Sequence, residues 1–149
     1  MKLNTYRVIG IIALVVVVIA LIFAGSQVMA SRNANNQPEL AGMAWNLVGW
    51  SENGTDSQTV EGSRPTLEFN DEGGLYGTSG CNLFNGSYEL NGQQMSVGEL
   101  MQTLMACDEA VMQQENDYMR LLRDAQSYSI AGDTLTIVTS SGSLSFVRA

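Results

Sequence analysis

The chain has 149 residues, with 15 acidic and 7 basic side chains, no histidine and a formal net charge of -8. Beyond residue 30 the balance is 5 basic against 15 acidic residues, or -10, with no lysine, and such a surface repels phosphate backbones and speaks against nucleic-acid binding. The lack of histidine excludes Ser-His-Asp and Cys-His catalysis, and two cysteines fall short of the four ligands of a structural zinc site, so no metal or other cofactor is expected.

Lys2 and Arg7 precede an unbroken apolar and small run from Val8 to Ala24. Positive charge ahead of such a run favours a cytoplasmic N-terminus, with everything after it outside. Residues 1–30 are therefore expected to act as a signal peptide or a transmembrane anchor, with the membrane as partner of residues 8–24. Val28 and Ala30 suit cleavage after Ala30, whereas the 17 apolar residues are long enough to span, so release and anchoring both stay open. No cysteine lies nearby to carry a lipoprotein anchor. Residues 31–41, with Asn33, Asn35, Asn36, Gln37 and Pro38, are polar and aperiodic and read as a tether.

From Gly42 to the end a single folded domain is expected, 42–149. Trp45 and Leu47 alternate with Asn46, and Leu67 and Phe69 with Glu68, as in strands with one buried face. Asn70 to Gly74 form a turn into Leu75–Thr78. Tyr88 and Leu90 lead to Asn91-Gly92, a dipeptide suited to a type I′ hairpin turn, and Met95 and Val97 follow it. Tyr128 and Ile130 precede a turn at Gly132-Asp133. Leu135 and Ile137, a turn at Ser141-Gly142, and Leu144 and Phe146 complete the pattern. Asp108 to Arg123 contains neither Gly nor Pro and places Val111, Glu115, Tyr118 and Leu122 on one helical stripe. Asp108 is placed to cap this helix, and Arg120 and Arg123 suit its negative end. Seven or so antiparallel strands and one amphipathic helix make an α+β domain, with the helix covering a curled sheet or plugging an incomplete barrel.

The most distinctive stretch runs Gly80-Cys81-Asn82-Leu83-Phe84-Asn85-Gly86-Ser87-Tyr88, followed by Thr103-Leu104-Met105-Ala106-Cys107 and then Glu115. It resembles the META domain family, and the likeness extends from about Gly42 to Arg148. Leu75 departs from it, standing where a polar or basic residue is common. The resemblance implies a compact β-rich fold, frequent location in the cell envelope and a loose association with stress tolerance or secretion. It implies no established catalysis.

Read without the family, Cys81 and Cys107 are the only cysteines, and an exported domain meets an oxidising compartment, so a disulfide is the favoured state and two buried thiols the alternative. Gly80, Asn82 and Gly86 are expected to serve backbone turns or close approaches. Glu115 is expected to turn its carboxylate inward to accept hydrogen bonds from loop N–H groups. Asn53-Gly54-Thr55 and Asn85-Gly86-Ser87 match glycosylation sequons, which matter only in a eukaryotic secretory pathway. Ser79 resembles a nucleophile elbow only superficially, because the second glycine comes one place early. The leading expectation is a noncatalytic extracytoplasmic module acting on an envelope protein. The alternative is a carrier of a small apolar ligand in a barrel pocket lined by Met95, Met101 and Met105, and the third is a hydrolase using carboxylates.

Overall fold

The computed structural model describes residues 40–149. The apolar segment 8–24, the cleavage site after Ala30 and most of the tether lie outside the described residues. No helix among the described residues is long and apolar enough to cross a membrane.

Ten strands and one helix follow in chain order: β1 (Ala44–Glu52), β2 (Thr55–Gln58), β3 (Thr66–Phe69), β4 (Gly74–Thr78), β5 (Leu83–Asn91), β6 (Gln94–Val97), β7 (Met101–Gln102), α1 (Glu109–Arg123), β8 (Ala125–Ala131), β9 (Thr134–Thr139) and β10 (Gly142–Arg148). Every pairing is antiparallel. The order β1-β3-β4-β5-β6-β8-β9-β10 returns to β1, because β1 and β10 pair from Trp45↔Arg148 to Glu52↔Gly142. The sheet is thus a closed eight-stranded barrel, not the curled sheet or incomplete barrel expected from sequence. Closure leaves no free edge along the ring. The short β2 adds to β1, and β7 adds to β5.

The folded part also begins earlier than expected. Leu40 is buried in the core and Gly42 N–H donates to Phe69 O at 2.8 Å, so the chain is already pinned to β3 before β1 starts.

Alternation along the strands places Trp45, Leu47, Leu67, Phe69, Phe84, Leu135, Ile137, Leu144 and Phe146 inside the ring. Helix α1 contributes Tyr118, Met119, Leu121 and Leu122 to the same core, packing against β6, β9 and β10. Tyr118 meets Phe84 edge to face at 5.7 Å between ring centres, and its hydroxyl donates to Thr66 O at 3.1 Å, which gives its buried polar end a partner. Burial pushes the Tyr118 phenol well above its ordinary range. Asp108 sits at the helix start but its side chain makes no capping bond; its main-chain carbonyl accepts from Met112 N–H at 3.0 Å. The expected side-chain cap is therefore absent.

Turn chemistry differs from expectation at two hairpins. In the Asn53-Gly54 turn both residues take positive φ, 50° and 80°, which is the type I′ arrangement. At the next Asn-Gly pair, Asn91 stays in β5 opposite Gln94 and the turn is Gly92-Gln93, with positive φ at Gly92 alone. Glycine first, followed by an ordinary residue, fits the II′ type. At Ser141-Gly142 the turn shifts back by one residue, and Gly142 opens β10.

Gly142 faces Glu52 across the closing pair, and a Cβ there would collide with Ser51 O and sit 3.0 Å from Glu52 Cα. Gly142→Ala should force β1 and β10 apart and destabilise the domain by about 2 kcal/mol, measured by denaturant titration. Glu52, at the end of β1, is gripped by Arg120 of α1, which also holds Asp117. The Arg120 hydrogen bond is the main reason the Glu52 carboxyl lies below its ordinary value. Its contribution is therefore complete above that ordinary value and lost as pH falls through the depressed one. Melting curves should show the wild type losing its advantage over Glu52→Gln across that acid window.

Candidate functional site

Gly80 and Asn82 of the motif meet Gln114 and Glu115 of α1. Glu115 is 1% exposed, yet its carboxylate is surrounded by donors. Ser79 Oγ donates to Oε2, as does Asn82 N–H at 3.1 Å; Oε1 accepts from Asn82 Nδ2 at 2.9 Å and from Gln102 Nε2 at 3.3 Å. A buried carboxylate so supplied is held by hydrogen bonds in place of the water it lost.

Asn82 is the second hub. Besides bonding Glu115, its Nδ2 donates to Met105 O at 3.2 Å, while its Oδ1 accepts from Thr103 Oγ1 at 2.8 Å and Met105 N–H at 2.7 Å. The amide thus uses both ends to fasten the 103–105 loop to the start of β5. Asn82 does not take positive φ; its main chain closes the 79–82 bend, with Ser79 N–H donating to Asn82 O at 2.9 Å, and its side chain adds the bridge to the 103–105 loop that the sequence did not show. Gly80 does take positive φ, 102°, and a Cβ there would crowd Gln114 Nε2 at 2.8 Å. Gly86 instead allows close approach within β5, where a Cβ would meet Leu100 Cδ2 at 2.5 Å and Glu99 O at 2.8 Å.

The disulfide between Cys81 and Cys107 spans Cα atoms 6.1 Å apart and ties the same two segments covalently. With a sequence separation of 26, it constrains the unfolded chain by about 3.5 kcal/mol in the chain-entropy account. The Tyr88 hydroxyl, further along β5, donates to Asn70 O at 2.9 Å and lies outside this cluster, packing edge to face on Phe69. Phe84 serves the core through Tyr118.

Sequence reasoning missed Gln114, Gln102 and the role of Ser79. Gln114 is 2% exposed; it accepts from Val60 N–H at 2.7 Å and Ser63 Oγ at 3.1 Å and donates to Ser79 O at 3.0 Å. Its position one turn before Tyr118 marked it as a polar residue on the core-facing stripe. Ser79, the false elbow, instead orients the Glu115 carboxylate.

The loop that this network fastens, together with β7 and the start of β5, carries apolar side chains outward. Leu104 is 90% exposed, Leu83 and Met101 64% and Met105 56%. Leu83 and Met101 border an open depression of roughly 360 Å3 together with Asn85, Gln102 and Thr103. Met95, by contrast, is buried in the core at 3%. The three methionines expected to line one internal pocket therefore lie on opposite sides of the barrel wall, because alternation in β6 turns Met95 inward while Met101 and Met105 face solvent.

The META domain model matches residues 38–149. The chain belongs to the META domain family. Among solved structures it is similar to a protein from Burkholderia xenovorans determined by NMR, at 28% identity and a TM-score of 0.65, over 74% of this chain and 83% of that one. A DUF4847 family protein from Bacteroides vulgatus shares the fold at 11% identity and a TM-score of 0.57, covering 72% of this chain and 93% of that one. No curated protein matches the chain. The family match starts four residues before Gly42, in keeping with the burial of Leu40.

Within the META domain the Glu115 carboxylate is the point where loop, strand and helix meet. Glu115→Gln would set an amide N–H₂ against groups that themselves donate. The melting midpoint should fall, with a loss on the order of 2 kcal/mol by chemical denaturation. An unchanged midpoint would remove Glu115 from its structural role.

Proposed function

We propose that this META protein is a noncatalytic extracytoplasmic module of the cell envelope that binds another protein through the face formed by Leu83, Met101, Leu104 and Met105. The observation that carries the reading is that Met101, Leu104 and Met105 are held in solvent on a segment whose backbone is fixed against β5, where exposed Leu83 joins them. Thr103 N–H donates to Leu83 O at 3.0 Å, and Asn82 holds Met105 from both sides of its peptide unit. Clustered apolar surface on a rigid support is what an interface core requires, since little ordering entropy remains to be lost on binding.

The surroundings favour one class of partner. From Pro65 to Met119 the sequence has no lysine or arginine, and Glu99, Asp108 and Glu109, chain neighbours of the exposed loop, are exposed. A partner with an apolar anchor flanked by basic residues complements that arrangement. Extracytoplasmic placement is supported by Lys2 and Arg7 ahead of the apolar run, and by a disulfide, which suits an oxidising compartment. The noncatalytic reading is supported by the only fully buried carboxylate among the described residues, Glu115, being committed to hydrogen bonds within the fold.

The test is site-directed photocrosslinking of the full-length chain in membranes of its host. A photoreactive residue at Leu104 should capture one discrete protein, and the adduct should vanish with Leu83→Glu and Met101→Glu. The same residue at Val138, an exposed apolar position on β9, should capture nothing. Absence of an adduct at position 104, or equal capture from position 138, would rule out this face.

A further inference from the structure

We infer that Met101 and Met105 form a site of selective, reversible oxidation by two-electron oxidants such as hydrogen peroxide. The chain's two cysteines are joined to each other, so no thiol competes for oxidant, and no histidine is present. That leaves thioether sulfur as the softest nucleophile on the protein. Exposure then decides among the methionines. Among the methionines of the described residues, Met101 and Met105 are 64% and 56% exposed, Met43 and Met112 are half-buried, and Met95 and Met119 are at 3% and 2% inside the core.

The step is balanced by the oxidant itself. A sulfur lone pair attacks one peroxide oxygen, the O–O bond breaks, and the departing hydroxide takes up the proton released from the transferred oxygen to leave as water. Sulfur is oxidised by two electrons and peroxide is reduced by two. The product sulfoxide is the form that methionine sulfoxide reductases return to thioether.

Local geometry makes the fold indifferent to this change. Met105 is fastened to Asn82 through its main-chain N–H and C=O, and β7 holds Met101 opposite Asn85 through the backbone, so neither anchor uses the sulfur. Oxidation would replace two of the four apolar members of the exposed face with polar, hydrogen-bond-accepting groups while leaving the barrel as it is. A consequence for partner binding rests on the interaction reading above; the chemistry and its selectivity do not.

The experiment exposes the full-length chain in lipid nanodiscs to hydrogen peroxide, quenches at intervals and locates added oxygen by fragment mass spectrometry. Met101 and Met105 should each gain one oxygen at least about tenfold faster than Met95 and Met119. The melting midpoint should be unchanged, and methionine sulfoxide reductases of both stereospecificities together should restore the original mass. Unfolding in urea should bring the four rates together, which assigns the difference to burial. Equal rates in the folded chain, or sulfoxides that the reductases leave in place, would overturn the proposal. Met101→Leu with Met105→Leu should abolish the fast phase in the fragments that cover residues 40–149; its persistence there would also overturn it. These rates are read on the chain alone, so they stand or fall separately from the crosslink at Leu104.

Discussion

The interaction on which the rest of the domain depends is the set of hydrogen bonds received by the Glu115 carboxylate. A charge of this kind inside a protein is costly unless every lone pair is engaged. Satisfying it draws in Ser79 from the end of β4, Asn82 from the start of β5, Gln102 from β7 and, through the helix backbone, the whole of α1. Gln114 extends the same contact to Val60 and Ser63, so the long connection between β2 and β3 is tied to the helix as well. Segments far apart in sequence thereby share one geometric requirement, and a change in any of them is felt by the others.

The disulfide and the polar cluster act on different quantities. Cys81 and Cys107 limit the freedom of the unfolded chain, whereas Asn82, Thr103 and Glu115 select one arrangement of the folded one. Together they hold a loop whose side chains would otherwise collapse onto the surface. Leu104 remains exposed because its neighbours on both sides are fixed, and the apolar face is in that sense a product of the buried polar cluster beneath it.

Much of the barrel was legible because period-2 alternation is a local signal, and Trp45, Phe69, Ile137 and Phe146 fell where it put them. The helix was legible for the same reason at its own period. Closure was not, because pairing of β1 with β10 joins residues nearly the full domain apart and leaves no mark in either strand alone. Strand β2 was missed since its residues Thr-Asp-Ser-Gln are polar and largely exposed, and Asn53-Gly54, which makes the turn into it, drew notice only as part of a sequon. At the candidate site, the inward carboxylate of Glu115 was readable from its helical stripe. Asn82 reads as a turn residue from sequence alone, because an asparagine following Gly80-Cys81 gives no local sign that its amide will bridge the 103–105 loop.

Closure by the first and last long strands also sets an order of events during synthesis. Residues 44–52 leave the ribosome well ahead of their partner, residues 142–148. The opening strand must therefore wait, with one side unpaired, until β10 has emerged. A chain broken off before β10 lacks the seam of the ring, and every strand in the sheet then belongs to an open one. Assembly of this domain is in effect a check that its last strand has been made.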